Sequence, residues 1–178
     1  MQRVPAADFD PVLKKRLEEL WGGKPVNLYR ALGNHPALTA AWTEFANSIR
    51  HDSRTPRALR EIMILRTAQV ARSEYEWAHH LRMARKAGVS EAQIKDLPAW
   101  KTSSHFSAPE KAALALSEAV TQGRVSDEVY AEAMRHFDHH DYVELAIVAS
   151  FYAMVGRMLD AMGVQLDADV MNYSPKLP

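Results

Sequence analysis

The segment Arg72–Ala84, RSEYEWAHHLRMA, concentrates the residues of this sequence that could do acid–base chemistry. Glu76 precedes His80 by four residues, so on a helix the carboxylate and the imidazole lie on one face and can touch. Glu76 is expected to be ionised near a helix N-terminus, and a carboxylate beside His80 would raise the pKa of the imidazole toward neutral pH. The pair therefore predicts a general acid–base site, whereas His79, about 100° further round the helix, is expected to face solvent or a subunit partner.

A structural role fits the same residues. Ser73-x-x-Glu76 is a capping box, in which the serine oxygen accepts a hydrogen bond from the Glu76 backbone N–H and the glutamate reaches back to the Ser73 N–H. Such a cap stabilises a helix by about 1 kcal/mol and requires no function. The capping box does not account for His80, so both interpretations stay open.

Metal-binding patterns are incomplete in this sequence. Glu76–His79 has the E-x-x-H spacing of di-iron helical bundles, but such sites need a second E-x-x-H and two further glutamates, and no second E-x-x-H occurs in this sequence. The H-E-x-x-H, P-loop and G-x-S-x-G patterns do not occur either. Structural or solvent-exposed roles are expected for a second cluster of titratable residues, which consists of His136, Asp138, His139, His140 and Asp141. We predict no metal and no cofactor.

The composition excludes several classes of function. Lysine and arginine number 22, equal to aspartate and glutamate, so there is no basic excess for nucleic acid. Uninterrupted apolar runs fall short of the roughly 20 residues of a membrane span, and the N-terminus lacks the apolar region of a signal peptide. A cytoplasmic location is therefore expected. Because the chain has no cysteine, it has no disulfide, thiol nucleophile or thiolate metal site.

Apolar residues recur at helical spacing along almost the whole chain, which predicts an all-α protein of one domain. Residues 57–71, RALREIMILRTAQVA, have so little polar surface that this helix is expected to be central. Predicted helix starts are at Asn27 or Pro36, Ser73, Ser90, Ser107 with Glu110, Ser126 and Asp141. Predicted helix ends are at Gly22–Pro25, Gly88, Gly123 and Gly163. We divide the chain into an N-terminal helical extension (1–24), a helical domain (25–165) and a C-terminal tail (166–178), whose end, MNYSPKLP, is expected to be loosely ordered or laid on a partner.

Residues 60–94, REIMILRTAQVARSEYEWAHHLRMARKAGVSEAQI, resemble the core of the carboxymuconolactone decarboxylase family, whose fold is shared with the alkylhydroperoxidase D-like proteins. Residues 27–49 and 144–159 are similar to the long single-domain members, so the resemblance covers roughly residues 25–165. In the peroxidase branch a glutamate is followed twelve residues later by C-x-x-C, and a histidine lies four residues beyond the second cysteine. The glutamate falls on Glu61, the cysteines on Ser73 and Glu76, and the histidine on His80.

The resemblance implies a lyase-type enzyme rather than a peroxidase. Thiol–peroxide chemistry requires the missing sulfurs, whereas the loss of CO₂ from a lactone acid, implied by the family name, needs no thiol. Such a reaction leaves carbanion character that a histidine tuned by glutamate can protonate. Glu61, Glu76 and His80 are therefore the catalytic candidates, acting on a small lactone or carboxylic acid.

Substrate-binding candidates are Ser73, Tyr75 and Arg157. Arg157 would hold a substrate carboxylate, although a surface ion pair is an alternative role, and Tyr75, like Trp77, could simply pack at the helix start. Two other functions stay open: a non-catalytic helical binding or stress-associated protein that kept the fold, and a metal-dependent variant. The resemblance also implies a homo-oligomer, either a trimer or a hexamer built as a trimer of dimers.

Overall fold

The computed structural model describes residues 2–9, 11–21, 26–171 and 177–178. These residues form helices and contain no strand, which confirms the all-α prediction. The helices are α1 (Pro11–Trp21), α2 (Asn27–Leu32), α3 (Pro36–His51), α4 (Arg57–Ala71), α5 (Glu74–Lys86), α6 (Glu91–Asp96), α7 (Ala108–Gln122), α8 (Asp127–Met134), α9 (His139–Met162) and α10 (Ala168–Met171), with a 3₁₀ turn at Leu97–Ala99.

Helix α4 is the centre of the fold and packs against α5, α7 and α9. Met63 and Leu65 on α4 are completely shielded from solvent, and nine of its fifteen residues are buried. A helix that touches neighbours on so many sides needs an almost continuous apolar surface, as the sequence predicted. Two charged residues of this helix are buried as well: Glu61 is completely shielded from solvent, and Arg60 is 4% exposed.

The segment after the Gly22–Pro25 breaker, which itself lies outside the described residues, forms two helices rather than one. Both starts that the sequence offered, Asn27 and Pro36, are used, and the turn at Gly33 separates α2 from α3. At Gly33 a Cβ would lie 3.0 Å from the Phe9 ring. The lack of a side chain therefore lets the N-terminal residues pack closely on this turn.

Helix α9 begins at His139, two residues before the predicted Asp141. Asp138 is the N-cap, and its side chain accepts a hydrogen bond from the Asp141 backbone N–H at 2.9 Å. The side chain of Asp138 therefore places His139 and His140 in the first turn of the helix. Helix α9 is long and apolar enough to cross a membrane, but the core helix of a soluble protein meets the same two criteria. Half of the most apolar part of α9 is buried within the protein.

The expectation of loose order applied to the MNYSPKLP end, and the residues before this end pack on the protein. Residues 164–171 lie against the helical domain, and Val170 in α10 is buried. Leu166 packs against the cluster that contains Tyr75 and Tyr152. Of the MNYSPKLP end, residues 172–176 lie outside the described residues.

A candidate acid–base site between α4, α5 and α9

A tight turn between α4 and α5 brings the predicted catalytic residues together. Arg72 has left-handed backbone angles, and the N–H groups of Arg72 and Ser73 donate to the carbonyls of Gln69 (3.2 Å) and Ala68 (2.9 Å). This pattern of hydrogen bonds ends a helix and reverses the chain. As a result, α5 packs back against α4 and His80 faces Glu61.

The Ser73–Glu76 capping box is only half formed. The Ser73 hydroxyl accepts from the Glu76 N–H at 3.4 Å, so the predicted N-cap is present. The reciprocal bond is absent, because the Ser73 N–H already donates to the Ala68 carbonyl. The Glu76 side chain is therefore not held at the helix start, and it points into the protein.

His80 lies between two buried carboxylates. Its Nδ1 is 2.8 Å from Oε2 of Glu61, and its Nε2 is 3.5 Å from Oε2 of Glu76. Glu61 also binds the Arg57 guanidinium one turn earlier on α4. The edge of the His80 ring packs on Tyr152 of α9 at 4.8 Å between ring centroids. The three predicted catalytic residues thus form one cluster.

The electrostatics of this cluster differ from the expectation. Burial raises the pKa of Glu76 to about 8, so its carboxyl is mainly protonated at neutral pH rather than ionised by the helix N-terminus. Burial also lowers the pKa of His80, despite the opposing effect of Glu61. Burial alone would raise the pKa of Glu61, but His80 and Arg57 outweigh it and hold that pKa below its usual value. At neutral pH the cluster is therefore an ionised Glu61, a neutral His80 and a protonated Glu76.

The cluster forms part of the wall of a cavity of about 900 Å³. Glu76, His80 and Tyr152 contribute polar atoms to this wall. Much of the remaining surface is apolar and includes Leu28, Trp42, Ala46, Phe151, Val155 and Leu166. The positively charged residues along the cavity are Arg30, Arg50 and Arg82. An apolar pocket with a few convergent polar groups is the usual form of a small-molecule site.

A second polar cluster lines the same cavity. Asp167 accepts hydrogen bonds from the Tyr75 hydroxyl (2.6 Å) and from His79 Nε2 (3.1 Å), and the Tyr75 and His79 rings stack at 4.4 Å. The expectation that His79 faces solvent or a partner was therefore wrong. The physical reason is that Asp167 provides an acceptor on the cavity side of α5, and burial with a hydrogen-bond partner is then favourable.

Two of the predicted substrate-binding residues do not line the cavity. Ser73 caps α5, and Arg157 is exposed and donates to the Thr121 carbonyl at 3.1 Å. Arg157 lies on a different side of α9 from Tyr152 and Val155, which do line the cavity. Trp77 is buried in the main core and has the packing role that the sequence offered as an alternative.

Sequence reasoning missed Arg50, Trp42 and Asp167. Arg50 ends α3 and is one of several arginines between residues 50 and 60, so no spacing distinguishes it. Trp42 fits an ordinary apolar helix face. Asp167 was assigned to the tail, and only the position of residues 164–171 against α5 reveals its contacts.

The histidine- and aspartate-rich start of α9 forms a separate group. Asp138, His140 and Asp141 bring possible metal-ligand atoms within 4.8 Å of one another. Arg54, however, contacts Asp138 at 2.6 Å and Asp141 at 2.8 Å. The guanidinium already balances these carboxylates at the surface, which is the solvent-exposed role predicted for this cluster.

The chain is similar to known proteins in both sequence and fold. The profile of the Carboxymuconolactone decarboxylase family matches residues 36–119. The Uncharacterized protein YdfG of Bacillus subtilis (strain 168) is 36% identical over 110 residues, which are 60% of this chain and 75% of YdfG.

Solved structures show the same fold. An uncharacterized peroxidase-related protein of Ralstonia eutropha JMP134, an alkylhydroperoxidase AhpD core, is similar with a TM-score of 0.81 and 16% identity over 98% of both chains. The debrominase Bmp8 is similar with a TM-score of 0.76 and 22% identity over 88% of this chain and 84% of Bmp8. The match to the family profile and to YdfG, together with this shared fold, shows that the chain belongs to the Carboxymuconolactone decarboxylase family.

Proposed function

We propose that this protein is an acid–base enzyme of the decarboxylase type that acts on a small lactone or carboxylic acid. One observation carries the proposal: Glu76 Oε2 is buried and has no hydrogen-bond partner among the described residues, yet it lies 3.5 Å from His80 Nε2 in the cavity wall. A buried polar atom without a partner is costly to fold. A reacting group that exchanges a proton explains why this cost is tolerated.

The protonation states support the direction of proton transfer. When the bond between the substrate carbon and its carboxylate breaks, CO₂ leaves and the electron pair moves onto a neighbouring carbonyl as an enolate. The Glu76 carboxyl then donates its proton to that carbon and becomes a carboxylate. His80 then relays one proton from bulk solvent through Nε2 to Glu76, which restores the starting state, so the reaction consumes one solvent proton for each CO₂ released. Glu61 keeps Nδ1 protonated throughout.

The groups on the cavity wall favour a ligand that carries acceptor oxygens. The Trp42 indole N–H is buried and has no acceptor among the described residues. The protonated Glu76 is also a donor, and Arg50 adds positive charge. Carboxylate and lactone oxygens complement such donors, and the apolar walls fit the carbon skeleton of the substrate.

The test is a panel of lactone carboxylic acids and β-keto acids, with CO₂ release and substrate loss as readouts. Glu76→Gln and His80→Ala are each expected to lower kcat by about 10²-fold or more, because a positioned acid or base contributes that much. Glu74→Gln is the matched control, since Glu74 is exposed on the same first turn of α5. If the parent converts a substrate and both site variants keep its rate, the site is not catalytic.

A non-catalytic binding protein is the competing outcome of the same experiment. It predicts saturable binding of a panel member in the cavity without any turnover by the parent. The convergence of Glu61, Glu76 and His80 favours the enzyme, because a passive pocket has no need of a buried acid beside a buried base.

Peroxidase activity of the thiol type is not expected, although one of the similar structures is described as peroxidase-related. The chain has no cysteine, so no thiolate can attack a peroxide and no sulfenate can form. Reduction of an organic hydroperoxide coupled to a dithiol reductant should not exceed the rate of the chelator-treated buffer control. A rate well above that control would contradict this expectation.

A further inference from the structure

The segment 164–171, here called the strap, forms one side of the cavity. Leu166, Asp167, Ala168 and Asp169 of the strap all line it. The strap follows α9 and turns back over α2 and α5. Movement of the strap away from these helices would therefore widen the opening of the cavity.

The Asp167 carboxylate joins the strap to both helices. Its Oδ2 accepts from the Tyr75 hydroxyl at 2.6 Å and from His79 Nε2 at 3.1 Å, both on α5. Its Oδ1 accepts from the Asn27 backbone N–H at 2.9 Å. Asn27 begins α2, which receives no cap from its own Val26, so Asp167 supplies the missing cap from 140 residues away.

Asp167 is also the main polar attachment of the strap. Among the described residues, the only other hydrogen bond from the strap to α2 or α5 is that from the Asn27 side chain to the Gln165 carbonyl, at 3.1 Å. Asp169, two residues further on, is exposed and has no described hydrogen bond. Burial of Leu166 and Val170 holds the strap as well, but apolar contacts do not fix a single position in the way that three hydrogen bonds do.

We infer that Asp167 is a latch and a positioning residue: its carboxylate holds the strap closed over Glu76 and His80, and ligand enters when its bonds to Tyr75, His79 and Asn27 open. The latch itself does not depend on the proposed function; only the statement that the entering ligand is a substrate rests on it. The latch keeps the strap in the cavity wall near the acid–base cluster, and it fixes the Tyr75 and His79 rings in that wall. Enzymes commonly use the closure of a short segment for this purpose.

Hydrogen–deuterium exchange tests the latch without any substrate. Asp167→Asn removes the charge and weakens all three bonds, so the amides of the strap and of Asn27 should exchange about 10-fold faster or more. Asp169→Asn is the matched control, because it makes the same chemical change two residues away on the same strap. The control should exchange like the parent. Equal exchange in the parent and both variants would overturn the latch.

Chemical access to the cluster provides a second readout. Diethyl pyrocarbonate modifies neutral imidazoles, and His80 is neutral but shielded. Its modification, located by peptide fragmentation mass spectrometry, should be several-fold faster in Asp167→Asn than in Asp169→Asn. An unchanged rate at His80 would show that the strap does not control access.

A milder change covers the case in which Asp167→Asn does not fold. Tyr75→Phe keeps the ring but removes the hydroxyl that donates to Asp167 and accepts from the Leu28 N–H. Because the bonds of Asp167 to His79 and Asn27 remain, strap exchange and His80 modification should increase by a smaller factor. Parent-like values for Tyr75→Phe would overturn the latch in that case. Because neither readout involves turnover, a failed latch leaves the proposed reaction standing, and a failed reaction leaves the latch measurable.

Discussion

His80 Nδ1 lies 2.8 Å from Glu61 Oε2, and this one hydrogen bond determines which nitrogen of the imidazole can act as a base. Glu61 remains ionised, so it accepts and His80 must donate from Nδ1. The Nε2 lone pair is then directed to the side where Glu76 lies, 3.5 Å away. Glu61 therefore acts through His80, and Arg57 in turn holds Glu61 in place.

The tautomer of His80 is directly measurable. The ¹⁵N chemical shifts of labelled protein at neutral pH should show a protonated Nδ1 and an unprotonated Nε2 for His80. Glu61→Gln removes the charged acceptor, so the Nδ1–H form should lose its dominance. A parent His80 with the proton on Nε2, or with both nitrogens protonated, would contradict the assignment of Glu61 as the group that fixes the tautomer.

The helices were predictable because their signals are local. Apolar spacing and caps such as Ser107, with its reciprocal partner Glu110, depend only on residues a few positions apart. The start of α9 was misplaced because two aspartates, Asp138 and Asp141, both suit an N-cap, and only the folded chain shows which one caps. The pairing of Glu61 with His80 came from the family spacing, which local periodicity alone does not supply.

The rest of the site depends on long-range packing that no local pattern encodes. Asp167 reaches Tyr75 across 92 positions of the chain, and Arg50 comes from a helix without any motif. The protonation of Glu76 is set by its burial under neighbouring helices, with only 4% of its surface exposed. Proximity to the helix N-terminus favours an ionised Glu76 carboxylate, but the loss of hydration on burial outweighs that local effect.

Ser73→Ala separates the capping role of Ser73 from the predicted substrate-binding role. Loss of the hydroxyl that accepts from the Glu76 N–H should lower the free energy of unfolding by about 1 kcal/mol. Because Ser73 does not line the cavity, KM and kcat on any converted substrate should stay close to the parent values. Chemical denaturation and steady-state kinetics check the two statements. A raised KM with unchanged stability would restore the substrate-binding role.

An apolar groove beside α9 is the surface on which we expect the predicted homo-oligomer to form. Its exposed side chains include Phe45, Val143, Ile147 and Met154, and its volume is about 380 Å³. We propose a second copy of this chain as the occupant, because the chain has no net charge and identical copies do not repel one another. Light scattering of the parent should then give the mass of an oligomer.

Ile147→Glu places a charge in this groove and should shift the light-scattering mass toward the monomer. Leu38→Glu is the control, since Leu38 is an exposed apolar residue on α3 outside the groove. A monomeric parent at micromolar concentration would refute the oligomer. An Ile147→Glu variant with the parent mass would place the interface elsewhere.

The proton on Glu76 makes the stability of the protein depend on pH. Its pKa rises from 4.5 to about 8 on folding, so between these values the folded protein holds a proton that the unfolded chain releases. The stabilising contribution of the Glu76 proton is therefore fully present below the pKa of the unfolded chain, and it is lost as the pH rises through the pKa of the folded protein. The slope is at most one proton, or about 1.4 kcal/mol per pH unit.

Glu76→Gln cannot ionise, so it should remove this slope while keeping the shape of the protonated acid. Chemical denaturation of the parent and the variant from pH 5 to pH 9 measures the difference, in which the titration of groups distant from Glu76 cancels. Relative to the variant, the parent should become less stable as the pH rises. Parallel curves would mean that Glu76 is already ionised in the folded protein, and the donor in the proposed proton transfer would then have to be another group.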